Sequence, residues 1–135
     1  MPGRFVDSNV VLYMVLDDRR KAALSRDMLN SGCVISVQVL NEVTNVLRRK
    51  LRMPWPDVRD FLSLIRDLTQ IVPVTAQTHE AGINIAERFG FSIYDSMIVA
   101  AAMQSGCDTL FSEDLQHGQV IDELVTVRNP FLPAV

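Results

Sequence analysis

A chain of 135 residues, 48% hydrophobic and 21% charged, has the size and composition of one ordinary globular domain, able to bury roughly two thirds of its unfolded surface. No run of about 18 uncharged apolar residues occurs, and the N-terminus lacks a basic-then-apolar layout, so neither a membrane span nor export is indicated and the expected compartment is the cytoplasm. The net charge of −3 excludes a uniformly cationic coat, yet residues 1–66 carry 11 Lys and Arg against 7 Asp and Glu, while 67–135 carry 2 against 9, so a basic patch on one flank is allowed.

The first extended run is "RFVD" at 4–7, where Asp7 follows the apolar pair Phe5 and Val6. A basic run, "RRK" at 19–21, precedes an apolar helical stretch at 22–29. "CVIS" at 33–36 is the second strand, with Ser36 placed to cap a helix over 37–52. That helix carries Val39, Leu40, Val43, Val46, Leu47 and Leu51 on one stripe, with Arg48, Arg49 and Lys50 mostly off it. "MPWPDVRDFLSLIRDL" opens the next, with Pro56 near its first turn and Val58, Phe61, Leu62, Leu64, Ile65 and Leu68 as its apolar face. "QIVPV" at 70–74 is a third strand, followed by the helix "AQTHEAGINIAERFG", closed by Gly90. "FSIYDSMIVAAAMQSG" is apolar nearly all round from Met97 to Met103 and reads as a buried helix. "DTLFS" at 108–112 and "LVTV" at 124–127 complete five strands. Cys33 and Cys107 make neither a zinc pattern nor a disulfide framework and read as small buried thiols.

Strands separated by helices predict a mainly parallel sheet of about five strands covered on both faces, a three-layer α/β/α sandwich in one domain, 1–135. Right-handed crossovers bring the carboxyl ends of parallel strands to one edge, where open α/β sheets bind ligands. Asp7 and Asp114 follow strands, Glu42 lies in the second turn after "CVIS", and Asp95 opens the buried helix, so all four acids are expected at that edge. Each has a plainer role available: Asp7 and Asp114 as caps or turn residues, Glu42 as a boundary residue reaching solvent, Asp95 within the capping-box-like "SIYD". Together they repel, at roughly 4 kcal/mol for two unit charges about 4 Å apart in an effective dielectric near 20. A cluster of that kind needs a cation or raised pKa values. Oxygen donors without paired His or Cys point to a hard ion, Mg²⁺ or Mn²⁺, and so to phosphate chemistry.

"FVDSNVVLY", "ISVQVLNEV", "IYDSMIVAAAMQSG" and "TLFSEDLQHG", in this order and spacing, resemble the PIN-domain family of ribonucleases, and within it the VapC-type toxins of bacterial toxin–antitoxin pairs, along essentially the full chain. The resemblance implies that Asp7, Glu42, Asp95 and Asp114 are catalytic and hold one or two Mg²⁺ or Mn²⁺ ions, with Asn9 and Ser112 in support. It implies an RNA substrate, a homodimer, and inhibition by a small cognate antitoxin whose C-terminal segment occupies the active groove. "SED" stands where many relatives have Thr first; Ser keeps the hydroxyl.

The runs "RRK" and "RRKLR" hold seven of the 13 basic residues. One or both are expected to flank the acidic groove and bind RNA phosphates, with Arg48, Arg49 and Arg52 as the named candidates and a solvated helix face as the alternative for each run. Glu113 is an outer-shell candidate or a surface acid, His117 a loop residue, and Trp55 reads as packing against a partner ahead of stacking on a base. A non-enzymatic PIN-like binding module and a Mg²⁺-dependent phosphotransfer or phosphatase domain remain alternatives. The latter would need a Lys near the last strands, and residues 67–135 contain none.

Overall fold

The computed structural model describes residues 3–133, so the outermost two residues at each end of the expected 1–135 domain lie outside the described residues. In chain order the elements are β1 (Gly3–Val6), α1 (Ser8–Leu12), α2 (Arg19–Asn30), β2 (Val34–Ser36), α3 (Val37–Arg49), α4 (Trp55–Leu68), β3 (Gln70–Val72), α5 (Ala76–Phe89), α6 (Ile93–Gln104), β4 (Cys107–Phe111), β5 (Val120–Ile121) and β6 (Val125–Arg128). One six-stranded sheet runs in the order β3-β2-β1-β4-β6-β5. Its pairings are parallel except for β5 against β6. The strand beyond the five expected is β5, whose two residues are too few to register as alternation.

The connections from β1 to β2 to β3 step one way along the sheet, and the one from β3 to β4 returns past β1. Right-handed crossovers therefore lay α1–α4 and α5–α6 on opposite faces, giving the three layers. The reversal makes the gap between β1 and β4 the topological switch point, where a crevice opens at the strands' carboxyl ends.

Local chemistry sets the boundaries. Ser36 caps α3 by accepting from the Val39 N–H, and Thr75 and Thr78 form a reciprocal capping box for α5. Gly90 closes α5 in the left-handed region, at φ 75°. The apolar stripe expected to carry α3 to residue 52 stops earlier, because Arg52 turns left-handed at φ 51°. Leu51 and Met53 then donate back to the Val46 and Leu47 carbonyls, which leaves Leu51 38% exposed. Leu64, expected on the inner face of α4, is 45% exposed, since it lies at the margin of a stripe centred on Val58 and Ile65. Helix α6 is buried from Ile98 through Ala102. Phe5, Val6, Ile35 and Leu110 fill the sheet's interior.

Candidate active site

Asp7 leaves β1 at the switch point and is only 3% exposed. Its N–H donates to the Phe111 carbonyl of β4 at 2.9 Å, and it is the N-cap of α1. One carboxylate oxygen accepts from the Ser8 N–H at 2.7 Å, the other from the Ser112 hydroxyl at 2.8 Å and the Asn9 amide at 3.2 Å. The capping role and the expected place at the sheet edge therefore fall on the same residue.

Neighbouring side chains extend this network. The Ser8 hydroxyl donates to Glu42 at 2.7 Å, and the Gln38 amide donates to the other Glu42 oxygen at 3.0 Å. The Asn9 side-chain Oδ1 accepts from the Glu113 N–H at 3.0 Å. Ser112, while donating to Asp7, accepts from the Asp114 and Leu115 N–H groups at 3.2 and 3.4 Å. Asp95 stands in the first turn of α6, behind the Ser92 cap. Four elements thus deliver four carboxylates to one edge.

The electrostatics follow from this packing. Burial pushes the Asp7 carboxyl up to about 6; hydrogen bonds from Ser112 and Ser8 oppose that, and the Glu42 and Asp95 charges add to it. Asp95 is also raised, by burial first and then by Glu42 and Asp114, against a hydrogen bond from Ser92. Among the described residues, no three Asp, Glu, His or Cys side chains converge tightly enough to enclose an ion by themselves. The donor set nevertheless fits Mg²⁺. That ion takes one or two carboxylates, keeps several waters and completes its shell with substrate phosphates.

Two openings meet at Glu42. A cleft of about 430 Å³ runs from Ser8, Asn9 and Asp114 toward Tyr13, Leu16 and Val46. A wider depression of about 750 Å³ holds Asp95, Tyr94, Gln38 and Asn41. Glu113 points away from both. It accepts from the Tyr13 hydroxyl at 2.6 Å and from Lys21 at 2.5 Å, and Lys21 lies 4.7 Å from the Tyr13 ring centroid. Burial works against the Glu113 charge, but Lys21 and Tyr13 hold its carboxyl below the ordinary range. Glu113 is thus a structural anchor one residue from Asp114. His117 is likewise structural, accepting from the Asn129 N–H at 2.9 Å.

The candidate arginines lie away from the acids. Arg48 donates to the Met53 carbonyl at 2.8 Å and covers the Trp55 ring. Arg49 and Arg52 are exposed. Of the run at 19–21, Lys21 serves Glu113 and Arg20 donates to the Phe131 carbonyl. Ser8, Gln38 and Tyr13 were not among the expected site residues, and Lys21 was expected only as part of a basic run, not as the partner of Glu113. Gln38 could have been found from its i, i+4 spacing to Glu42. Lys21 could not, since it meets its partner 92 residues on.

A doubly wound sheet with acids at its switch point is one class of ligand-binding α/β domain. Within it this chain belongs to the PIN-domain family, whose pattern residues 4–122 match. No curated protein matches its sequence. Its fold is similar to that of VapC20 from Mycobacterium tuberculosis, described as a sarcin–ricin loop cleaving toxin, with a TM-score of 0.64, 20% identity, and 82% of this chain and 91% of that one covered. A toxin–antitoxin complex from Klebsiella pneumoniae gives a TM-score of 0.71 at 14% identity, covering 95% and 98%. VapBC2 from Rickettsia felis, bound to a DNA fragment from its promoter, gives 0.69 at 16%, covering 93% and 97%.

Proposed function

We propose that the protein is a metal-dependent endoribonuclease acting as the toxin of a toxin–antitoxin pair. Asp7, Glu42, Asp95 and Asp114 would hold one or two Mg²⁺ or Mn²⁺ ions. Asp7 is the observation that carries this reading: a carboxylate 3% exposed, with its pKa pushed to about 6 in the company of two other acids. A fold does not gain stability from such a group, and a divalent cation would offset both the cost of burying its charge and the smaller repulsion from Glu42 and Asp95. The chemistry such an ion would supply is charge neutralisation at a phosphate and a lowered pKa for bound water.

The chain's own residues fix the geometry. Ser112, Asn9 and the Ser8 N–H orient Asp7, Ser8 and Gln38 orient Glu42, and exposed Asp114 stands where a phosphate would approach. Arg49 and Arg52 would meet RNA phosphates, with Arg48 contributing charge from its place over Trp55. The toxin–antitoxin complexes among the structural neighbours support an antitoxin partner, for which the apolar end of the Tyr13–Leu16–Val46 cleft is suited. A homodimer working in the cytoplasm completes the proposal. Among the described residues, no helix is long and apolar enough to cross a membrane.

The test is cleavage of a mixed RNA pool in Mg²⁺ or Mn²⁺ by the parent, Asp7→Asn and Asp95→Asn. Cutting by the parent alone is expected. Equal cutting by all three would sink the site, and none by any would leave a binding module.

A further inference from the structure

Trp55 is the chain's one tryptophan, and 51% of it is exposed. An indole is among the side chains a fold gains most by covering, so this position calls for a use. The mount is rigid. Trp55 is the first residue of α4, with Pro54 at the cap and Pro56 next, and both flanking φ angles are fixed by the rings. The Arg48 guanidinium lies 4.5 Å from the indole centroid, tied there by its bond to the Met53 carbonyl.

The surroundings are rich in arginine, and Asp57 and Asp60 on the same helix form no ion pair with them. Arg48 and Arg49 line a cleft of about 350 Å³ on one side of the indole, and Arg59 and Arg66 line one of about 320 Å³ on the other. The salt bridges among the described residues are Lys21–Glu113 and Arg88–Asp122, so none of these four arginines is matched by a carboxylate. This region is continuous with the acids. Asn41 and Asn45 line the Arg49 cleft and also the depression that holds Glu42 and Asp95. Seven residues of helix separate Glu42 from Arg49, about 10 Å, the reach of about three stacked nucleotides at 3.4 Å each.

We infer that Trp55, backed by Arg48, is a stacking platform for an unpaired RNA base lying a few nucleotides from the bond the acids address, with Asn41 and Asn45 carrying the strand between. The inference rests on the ribonuclease reading above and narrows its substrate to RNA that is single-stranded here. Stacking requires a base withdrawn from its duplex, and an aromatic face accepts any base. Guanidinium groups on both sides of the ring suit the adjoining phosphates. An apolar protein surface would instead bury four arginines that have no carboxylate in an ion pair with them, at high cost.

The single indole makes the test direct. The whole chain in EDTA, where nothing is cut, is titrated with an RNA of about 12 nucleotides, within the span such grooves cover, as a single strand or annealed to its complement. Binding of the single strand should quench the Trp55 emission saturably and weaken as salt rises, whereas the duplex should not quench it. With fluorescein-labelled RNA followed by anisotropy, Trp55→Ala should lose about tenfold in affinity and Trp55→Phe, which keeps a ring, less than about threefold. Circular dichroism checks that both variants are folded.

Unchanged emission while the single strand binds, or a folded Trp55→Ala variant that binds as tightly as the parent, overturns the inference. So does emission that shifts with protein concentration alone, which would mark an interface between copies. The two readings fail separately. Cleavage in Mg²⁺ without quenching removes the platform and leaves the ribonuclease, whereas quenching without cleavage does the reverse.

Discussion

The two ends of α3 handle charge in opposite ways. Near its N-terminus Glu42 is held by Ser8 and Gln38, beside an Asp7 held by Ser112, Asn9 and the Ser8 N–H. Near its C-terminus and in the turn beyond, Arg49 and Arg52 project into solvent. Only Arg48 is tethered, to the Met53 carbonyl. On the function proposed above, repulsive charges are fixed in the one arrangement the chemistry would need, while exposed arginines would follow a flexible RNA backbone. Stability and function should therefore move apart at the acid end.

The largest break in that contrast is Asp7→Asn. RNA cleavage should fall at least about a hundredfold, while the metal-free protein should gain about 1–2 kcal/mol at pH 7.5, read as a higher melting temperature. The sign follows from the folded carboxyl lying at about 6, above its unfolded value. The native state binds the extra proton, so the penalty is full above pH 6 and is relieved as pH falls toward 4. Thermal melts of the parent in EDTA should rise in stability from pH 7 to pH 5, and Asp7→Asn should flatten that slope.

Ser112→Ala comes next, because this buried hydroxyl donates to Asp7 and accepts from Asp114 and Leu115. A loss of about 1–2 kcal/mol in urea unfolding is expected. Manganese affinity followed by electron paramagnetic resonance should drop by about tenfold or more, as for a lost outer-shell partner. Glu113→Gln should act more gently, keeping a partner for Tyr13 but giving up the Lys21 charge, with a fall in manganese affinity of at most about tenfold. Unchanged affinity would show that the Glu113 anchor does not set the position of Asp114.

The smallest effect is at the arginine end. Arg52 stands at φ 51°, where glycine is at ease, so Arg52→Gly should stabilise by about 0.5 kcal/mol. The same change should weaken RNA binding and lower its salt slope by about one. A constant salt slope would remove Arg52 from the proposed contacts.

What was legible beforehand was local. Ser36 and Gly90 announced their helix ends through their chemistry, and the all-round apolar run in α6 announced burial. The early end of α3 was hidden, because Arg52 takes a left-handed turn that its side chain does not advertise. Asp7 and Ser112 could be placed at one edge from strand order, yet Ser8 as the bridge between Asp7 and Glu42 depends on rotamers that spacing does not encode. The Lys21–Glu113–Tyr13 cluster joins the two halves of the chain and left no periodic trace. Trp55 between two prolines suggested a partner contact ahead of base stacking; its rigid, half-open seat became visible only with Arg48 on its ring.

β1 comes first in chain order, yet its surroundings are completed late. Asp7 gains the Ser112 hydroxyl across 105 residues of chain, and β4, which fixes its backbone, must be made before the switch point exists. During synthesis the acid edge therefore stays unassembled until residue 112 has cleared the ribosome, and pairing over such separations is slow. Whatever activity the edge carries is withheld from the cell throughout translation. That interval is also when an inhibitor already present could be waiting to meet the finished fold.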